Sequence, residues 1–379
     1  MTEPGFSGLH IALVGPLPPP SGGMANQTRQ LAELLRSEGA EVEMVATNAA
    51  YRPACIGRIP GVRAVFRLLP YLLALWRAAG RNQLLHVMAN SGWSWHLFAA
   101  PAIWIGVIRG RPVLVNYRGG EAGNFLQRQA KGVGLSLRRA SALLVPSGFL
   151  EAVFAQHGFL AEVLPNVVDL QRFKPAPEGE LGQSAASPAA PHLVVARNLE
   201  LLYDNATAIR ALLIVRVRYP NAQLTLAGSG PEALTLQSLV ETLGLNGSVH
   251  FAGRLEREQM AELYRSATLS INPSLADNMP NSVLESLASG VPVVSTHVGG
   301  VPFLVQHGVT ALLVPPKDAA AMASAILRLL DDDDLRQSLC KAGLSHVQRY
   351  TWAQIGPQLA AIYRRSLSRS VPGLHTVQL

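Results

Sequence analysis

The sequence predicts an α/β protein made of two doubly wound parallel-sheet domains. Short apolar, β-branched runs alternate with segments of helical periodicity, and the same alternation restarts near residue 192. A length of 379 residues suits two domains of ordinary size better than one core. Between the two halves, residues 174–191 are rich in Pro, Ala, Gly and Ser and have no apolar period, which is typical of a linker.

The predicted strands recur at regular intervals. They fall at 9–14, 42–46, 84–88, 113–117 and 142–145, and again at 192–196, 223–227, 248–252, 268–272 and 292–295. We therefore expect an N-terminal domain over 1–173 and a C-terminal domain over 192–350. The last segment, 351–379, has a helical pattern and is long enough to cross back onto the first domain. Because open parallel sheets bind ligands at the carboxyl ends of their strands, we expect the site in a cleft where the two domains face each other.

Composition excludes several classes of protein. With 49% hydrophobic and 15% charged residues, the chain is neither disordered nor a coiled coil. No apolar run approaches the ~20 residues that span a bilayer, and the first residues lack the basic start of a secretory signal, so we expect a cytoplasmic protein. The two cysteines, Cys55 and Cys340, are too far apart in sequence to suggest a metal motif or a disulfide framework.

Positive charge is concentrated in the first half. Residues 1–170 carry 15 Lys and Arg against 9 Asp and Glu, and the stretch from Glu43 to Glu121 holds nine arginines and no acid between its ends. This pattern indicates an anionic partner. Residues 62–77 combine Arg, Trp and Tyr with apolar residues, so they lie either on an anionic membrane surface or in a buried helix with a few exposed arginines. Nucleic acid is disfavoured, because no nucleic-acid module is present and aromatic residues make up only 6%.

A glycine pair follows the first predicted strand. Gly22 and Gly23 stand just before a helical segment, where backbone amides can approach an anion. A phosphate-binding loop and a plain loop tip are both compatible with so short a signal.

The segment 272–295 carries the clearest chemistry. Pro280 fits the first position of a helix, so the amides of Asn281 and Ser282 are expected to bind a diphosphate. Asp277 in the loop before this helix and Glu285 on it are placed to bind the hydroxyls of a sugar and a ribose. The alternative is that Asp277 caps a turn and Glu285 only complements the helix dipole.

The spacing of Asp277 and Glu285 resembles the acidic-x7-acidic motif of the retaining family-4 (group 1) glycosyltransferases, which often have Glu at both positions. The resemblance extends, in the family's order, through the Gly-Gly loop and the stretches LPNVVD (164–169), AGSGP (227–231), VHFAG (249–253) and VGGVP (298–302). It implies a GT-B fold, a nucleotide-sugar donor held mainly by the C-terminal domain, an acceptor held by the N-terminal domain, and retention of anomeric configuration. The implied catalytic residues are Asp277, Glu285, Arg197 and Arg118, and the implied donor-binding residues are Gly22, Gly23, Arg197, Gly253, Leu255, Asn278, Met279, Asn281, Ser282 and Glu285.

The sequence departs from the family pattern at three places. Arg197 matches the first of two cations that face the diphosphate in the family. Asp204 or a neighbour stands where the second cation, a lysine, is usual. Either Arg197 and the helix-start amides suffice to stabilise the diphosphate, or Lys317 or another distant cation replaces the lysine. A surface ion pair of Arg197 with Glu200 or Asp204 is the structural alternative.

Arg118 stands at or beside a usual histidine and cannot act as a base, which favours electrostatic stabilisation or binding of an acceptor phosphate. Phe303 replaces a usual glutamate, and nothing in the sequence indicates a substitute.

The four aspartates 331–334 lie between two helical patterns and indicate a helix start rather than a metal site. We therefore expect no metal and no cofactor. The predicted activity is transfer of a hexose from a UDP- or GDP-sugar to a lipid-linked glycan or similar acceptor in surface-polysaccharide biosynthesis, at the inner face of the cytoplasmic membrane. A nucleotide-sugar epimerase of similar fold and a noncatalytic nucleotide-binding scaffold of a glycosyltransferase complex are the alternatives.

Overall fold

The computed structural model describes residues 5–19, 22–49, 62–176 and 190–368. They divide into two compact units, an N-terminal unit of Met1–Pro165 with Ile355–Leu379 and a C-terminal unit of Asn166–Gln354. The division falls at Pro165, eight residues before the expected end of the first domain, because 166–173 pack with the second unit. Cys55 lies outside the described residues, and Cys340 is a half-buried free thiol.

The N-terminal unit contains a six-stranded sheet in the order β2-β1-β3-β4-β5-β6, with every neighbouring pair parallel. The strands are β1 (His10–Gly15), β2 (Glu41–Ala46), β3 (Leu84–Ala89), β4 (Val113–Tyr117), β5 (Ala142–Val145) and β6 (Glu162–Val163). The helices are α1 (Gly23–Ser37), α2 (Val62–Arg81), a π-helical turn (Trp95–Ala99), α3 (Ala100–Ile108), α4 (Ala122–Leu137) and α5 (Gly148–Gln156).

Helices cover both faces of this sheet. Successive residues of a strand point to opposite faces, and in β1 Ala12 and Val14 belong to one apolar cluster, which includes Leu75 of α2. Leu13 belongs to another cluster, with Ala32 of α1. β3 and β4 are buried along their whole length, as central parallel strands covered on both sides must be.

The C-terminal unit contains a second parallel sheet in the order β12-β11-β10-β7-β8-β9. Its strands are β7 (His192–Val195), β8 (Gln223–Ala227), β9 (Val249–Gly253), β10 (Leu269–Asn272), β11 (Val293–Thr296) and β12 (Leu312–Val314). Its helices are two 3₁₀ turns (Leu201–Tyr203 and Val347–Tyr350) with α6 (Asn205–Arg218), α7 (Ala233–Thr242), α8 (Arg257–Ser266), α9 (Asn281–Ala288), α10 (Val301–Leu304), α11 (Ala319–Asp331) and α12 (Asp333–His346). The prediction of two parallel-sheet α/β domains is confirmed.

The strand order reverses between β7 and β10 in this second sheet. From β7 the chain winds outward through β8 and β9, and then returns to place β10 on the other side of β7. The crevice at the carboxyl ends of such a strand pair is where open α/β sheets bind ligands. The loops after β7 and β10 are therefore the first place to look for a site.

The last helix, α13 (Trp352–Ser368), begins in the C-terminal unit and continues into the N-terminal unit. There Tyr363 is fully buried and meets the ring of Phe6 edge-on, with 5.7 Å between centroids. Arg365 forms an ion pair with Glu162 of β6 at 2.7 Å. The end of the chain thus helps to build the first unit.

The run of aspartates 331–334 begins α12. The Asp332 side chain accepts a hydrogen bond from the amide of Leu335 at 2.9 Å and caps the helix, and Asp331 accepts one from Tyr219 at 2.7 Å. These contacts account for two of the four carboxylates. That catalysis requires no metal stays a prediction. Among the described residues, no helix is long and apolar enough to cross a membrane.

Candidate active site

Arg197 lies at the strand-order reversal of the C-terminal unit, two residues after β7. Its Nε and Nη2 donate to Oγ of Ser274, two residues after β10, at 3.1 and 3.0 Å, and its guanidinium lies 4.5 Å from the centre of the Tyr203 ring. Nη2 also forms an ion pair with Oδ2 of Asp277, and both side chains are 12% exposed. Burial lowers the pKa of Arg197.

The partner of Arg197 is therefore Asp277, and the expected alternative, a surface pair with Glu200 or Asp204, is wrong. Glu200 accepts a hydrogen bond from Asn198 at 2.9 Å, and Asp204 accepts one from Thr207 at 2.7 Å. The Glu200 carboxylate is thus bound by a residue of its own loop, and the Asp204 carboxylate is bound by a residue of α6. Arg197 remains aimed at the loop before α9.

Asp277 sits in a loop held by close backbone packing. The amide of Gly300 donates to the carbonyl of Asp277 at 2.8 Å. A Cβ at Gly299 would lie 2.2 Å from that carbonyl oxygen, and one at Gly300 would lie 1.9 Å from the carbonyl oxygen of Asn278. The VGGVP motif therefore serves to seat the Asp277 loop.

A second glycine pair supports Arg197 in the same way. A Cβ at Gly228 would lie 2.0 Å from the carbonyl oxygen of Arg197, and one at Gly230 would lie 2.2 Å from that of Leu199. The amide of Leu199 donates to the carbonyl of Ser229 at 3.2 Å. The AGSGP motif thus fixes the backbone on which Arg197 is mounted.

The start of α9 is arranged as an anion-binding helix terminus, with one correction. Pro280 is the N-cap, with φ −66° and ψ 120°, and not the first helical residue as predicted, because its carbonyl accepts from the amides of Val283 and Leu284. The amide of Ser282 lies in the first turn, whose donors have no acceptor inside the helix. Within the described residues, the buried Ser282 hydroxyl also lacks a hydrogen-bond partner.

Asn166, from the LPNVVD motif, fixes the residues before α9. Its Nδ2 donates to the carbonyl of Met279 at 2.9 Å and to Oδ1 of Asn281 at 2.8 Å. Asn278 and Met279 are both buried beside it. Asn166 was not among the predicted site residues, although its place in the LPNVVD motif was an available signal.

Glu285 lies on α9, half-buried. Oε2 accepts a hydrogen bond from the buried Tyr264 at 3.4 Å. Burial raises the pKa of Glu285 to about 7, against the opposing charges of Arg257, Arg197 and Arg172. The carboxylate is poised between its neutral and charged forms near neutral pH.

These cations also bear on the missing lysine. Lys317 is exposed in the turn before α11, with φ 61°. Arg257, at the start of α8, opposes the rise in the pKa of Glu285 more than Arg197 and Arg172 do. Sequence reasoning missed Arg257, Tyr203, Ser274 and Tyr264, because their proximity to the site depends on how the loops after different strands meet.

Gly253 and Leu255 lie on the far side of β8 from β7. Gly253 ends β9 with φ +67°, a left-handed conformation that favours glycine, and the half-buried Leu255 precedes α8. Phe303 is 58% exposed on the short helix α10. A role of Gly253 and Leu255 in donor binding remains a prediction.

In the N-terminal unit, Gly22 and Gly23 begin α1. Gly22 is the N-cap in an extended conformation, with φ −162° and ψ 165°, and its carbonyl accepts from the amide of Asn26 at 2.9 Å. A Cβ at either glycine would meet no described atom within 4 Å. No contact within the described part of the chain therefore requires glycine at these positions. The space next to the backbone of Gly22 and Gly23 is open to a ligand.

Arg118 follows β4 and is held by a buried polar chain. Its Nε donates to Oδ1 of Asn116 at 2.7 Å, and Nδ2 of Asn116 lies 3.0 Å from Nε2 of His86. Burial and the charge of Arg118 lower the pKa of His86 to about 3, and burial lowers that of Arg118 to about 10. Arg118 remains a cation at neutral pH, mounted on neutral polar groups.

Hydroxyl and amide groups gather beside Arg118 at the ends of β3 and β4. Oγ of Ser91 and Oη of Tyr117 lie 2.6 Å apart. A Cβ at Gly119 would lie 2.4 Å from Oδ1 of Asn90, 2.7 Å from Oγ of Ser91 and 2.8 Å from Oη of Tyr117. The glycine therefore allows these polar atoms to close around the residue after Arg118.

Two family models match the chain. "Glycosyltransferase Family 4" covers residues 21–172 and "Glycosyl transferases group 1" covers residues 192–332. Relatives described as D-inositol 3-phosphate glycosyltransferases include one from Corynebacterium aurimucosum, 35% identical over 39% of this chain and 35% of its own length, and one from Acidothermus cellulolyticus, 37% identical over 35% and 30%. The match thus spans about a third of the length of these relatives.

Solved structures share the fold over almost the whole chain. A sucrose-phosphate synthase from Thermosynechococcus elongatus has a TM-score of 0.74 at 24% identity, covering 95% of this chain and 99% of that one. Anabaena Alr3699/HepE in complex with UDP-glucose has a TM-score of 0.74 at 19% identity, covering 94% and 99%. With the two family models on its two halves, the chain belongs to the group 1, family 4 glycosyltransferases of GT-B fold.

Proposed function

We propose that this protein is a retaining glycosyltransferase that moves a hexose from a UDP- or GDP-sugar to a phosphate-bearing, lipid-linked glycan or similar acceptor in surface-polysaccharide biosynthesis. The observation that carries the proposal is the buried pair of Arg197 and Asp277 in the loops that flank the strand-order reversal of the C-terminal unit. A buried cation next to a helix start suits a diphosphate. The solved Anabaena neighbour, whose complex contains UDP-glucose, is compatible with this donor class.

The residues of the site divide between stabilising the departing diphosphate and holding the sugar and the ribose of the donor. As that bond stretches, negative charge grows on the departing phosphate, and Arg197 and the amides of Asn281 and Ser282 stabilise it. Asp277 orients the hydroxyls of the sugar, and Glu285, when ionised, accepts hydrogen bonds from the ribose. Arg257 supplies the second positive charge for which the family usually has lysine.

Retention is proposed to follow from attack by the acceptor on the face that the diphosphate leaves. Asp277 is paired with Arg197, and ion pairing makes a carboxylate oxygen a poorer nucleophile. We therefore assign Asp277 to orientation and not to a covalent intermediate. The acceptor hydroxyl passes its proton to the departing phosphate, so the reaction needs no separate protein base.

The acceptor is assigned to the N-terminal unit. Arg118 supplies a permanent cation, and Ser91, Tyr117 and Asn90 supply hydroxyl and amide groups beside it. This combination suits an acceptor with both an anionic group and hydroxyls. Several relatives are named for D-inositol 3-phosphate, which has both features. We place the enzyme at the inner face of the cytoplasmic membrane, where lipid-linked acceptors are found.

The test is a thermal unfolding series with UDP, GDP, ADP or inorganic phosphate in excess, each with EDTA, followed by transfer assays with the matching sugar nucleotides. A ligand that binds the folded state raises the midpoint by mass action. We expect one nucleoside diphosphate to raise it selectively, and its α-linked sugar nucleotide to give an α-linked product. Inversion of the anomeric centre, or a requirement for added metal, would contradict the proposal. Turnover without acceptor would favour an epimerase.

A further inference from the structure

The outer side of α2 and α3 is unusually apolar. On α2, Leu69, Leu73 and Trp76 are 56%, 59% and 43% exposed, and their spacing of four and three residues places them on one face of the helix. On α3, Val107 and Ile108 are 37% and 66% exposed. Scattered exposed apolar residues are ordinary, but a row along neighbouring helices indicates a surface that is covered in use.

Side-chain contacts join these helices into one surface. Arg109, after α3, lies with its guanidinium 4.9 Å from the ring centre of Trp76 on α2. Trp104 of α3, 39% exposed, donates from Nε1 to Oγ of Ser136 on α4 at 3.1 Å. The guanidinium of Arg139 lies 5.6 Å from the ring centre of Trp104.

We name this surface the α2–α3 face. Its exposed apolar members are Leu69, Leu73, Trp76, Trp104, Val107 and Ile108. Leu135 of α4 is also exposed, next to Ser136, which accepts the hydrogen bond from Trp104.

The charge on and around this face is positive. Exposed Arg77, Arg138 and Arg139 accompany Arg109. From Glu43 to Glu151 the sequence has one acid between these two, Glu121, at the opposite end of α4 from Leu135. Glu43 itself is engaged by Arg81 and Asn82.

Tryptophans with arginines stacked on them, around a row of leucines, match the chemistry of a phospholipid interface. Leucine and isoleucine side chains reach the boundary of the acyl chains, tryptophan occupies the headgroup level, and arginine binds lipid phosphates. Tryptophan and arginine are enriched in protein–protein interfaces as well. The observation that favours an anionic lipid surface is the one-sided charge: α2, α3 and α4 together contain arginines and a lysine but no acidic residue.

We propose that the α2–α3 face docks this protein on an anionic phospholipid surface. The sequence left a membrane-surface segment and a buried helix as alternatives for residues 62–77. In the structure α2 has a buried side, with Tyr71 and Leu75, and an exposed apolar side, with Leu73 and Trp76. The inference rests on the proposed function in one respect: docking on the membrane would bring the enzyme to a lipid-linked acceptor. Binding to lipid itself requires neither donor nor acceptor.

The experiment is co-sedimentation of the full chain with vesicles of phosphatidylglycerol and phosphatidylcholine, and with vesicles of phosphatidylcholine alone. We expect binding to the anionic vesicles only, weakened by salt. L73S/W76S should reduce the partition coefficient by at least tenfold, and R77Q/R138Q by about fivefold per arginine. The matched control is V217S/L234S, which removes two side chains of the C-terminal unit that are 86% and 76% exposed.

Equal binding of L73S/W76S and wild type, equal loss in the control, or no binding to anionic vesicles overturns the proposal. Self-association that L73S/W76S abolishes would also overturn it, because the face would then cover a second copy of the chain. The UDP- or GDP-induced rise in unfolding midpoint, measured on the same variants, reports separately on the proposed function. A variant that keeps this rise and loses vesicle binding is folded and separates the two.

Discussion

The phenolic oxygen of Tyr363 lies 2.8 Å from Nδ1 of His86, across 277 residues of sequence. Both side chains are fully buried, one on α13 and the other in the centre of β3. Because Arg118 can only donate, the oxygen of the Asn116 amide must face it, and the Asn116 nitrogen then donates to Nε2 of His86. Nδ1 of His86 therefore carries the proton and donates to Tyr363. The orientation of Arg118 thus depends, through two neutral groups, on the helix at the end of the chain.

Tyr363→Phe removes the acceptor of this chain. We expect it to lower the free energy of unfolding by about 1–3 kcal/mol, because the buried N–H of His86 loses its partner. Denaturant unfolding checks this value. Tyr219→Phe is the control, since it removes a hydrogen bond of similar length, 2.7 Å, at an exposed site, and should cost less. Equal losses in the two variants would contradict the assignment.

The low pKa of His86 predicts acid sensitivity. The folded protein takes up a proton at His86 only near pH 3, whereas the unfolded chain does so near pH 6.5. Between these values His86 binds more protons in the unfolded state, so the contribution of His86 to stability falls as the pH falls, by at most about 1.4 kcal/mol per pH unit. From pH 7 to pH 5 the free energy of unfolding of wild type should fall relative to that of His86→Gln, because the titration of Glu285 is common to both proteins and cancels in the difference. Parallel dependences would show that His86 does not titrate on unfolding.

Much of this architecture could be read from the sequence. Both sheets were visible as buried β-branched runs, and the motifs marked the loops that seat Arg197 and Asp277. The motifs also contain the glycines, but the reason why glycine is needed there appears only in the structure. At Gly228 and Gly299 a side chain would collide with the carbonyl oxygens of Arg197 and Asp277. The sequence thus indicated that these glycine-containing loops belong to the site, but it did not indicate which neighbouring loop each of them packs against.

Pairings between distant strands could not be predicted. Nothing local indicates that Arg197 pairs with Asp277, 80 residues away, instead of with Glu200 or Asp204 in its own turn. The link from His86 to Tyr363 is of the same kind. A local ion pair and a distant one use the same residue types, and only the packing of the loops decides between them.

Arg197→Gln should impair both stability and transfer. It leaves the Asp277 carboxylate, 12% exposed, without its cation, which we expect to cost about 2–4 kcal/mol. It should lower kcat by about 100-fold or more, as loss of a group that stabilises a departing anion does. Unfolding curves and transfer rates with a saturating donor measure the two effects.

The double variant R197Q/D277N separates these two effects. Removing both charges should restore much of the lost stability, because neither charge is then buried alone, but it should not restore transfer. Restored transfer would mean that Arg197 serves only to pair with Asp277.

Glu285→Gln should remove one pH-dependent contribution to stability. The pKa of Glu285 is raised to about 7, so between about pH 4.5 and 7 its carboxyl binds more protons in the folded protein than in the unfolded chain, and the contribution of Glu285 to stability falls as the pH rises. The variant lacks this titration and should gain up to about 3 kcal/mol relative to wild type from pH 5 to pH 8. It should also bind the nucleotide more weakly at pH 8. Glu262→Gln, an exposed change on α8, controls for the loss of a carboxylate; a similar loss of nucleotide binding there would contradict the role given to Glu285.

Gly299→Ala should disturb the Asp277 loop. Gly299 has φ +50°, and its added Cβ would lie 2.2 Å from the carbonyl oxygen of Asp277, so the loop must move. Gly308→Ala is a matched control, because Gly308 has φ +73° and an added Cβ would meet no atom of the described residues within 4 Å, apart from its chain neighbours. Both variants carry the left-handed backbone cost of about 1–2 kcal/mol, but only Gly299→Ala displaces Asp277 from Arg197. We expect Gly308→Ala to keep the wild-type Kd for the nucleoside diphosphate and Gly299→Ala to raise it at least tenfold. Equal Kd values in two folded variants would mean that the position of the Asp277 loop does not govern donor binding.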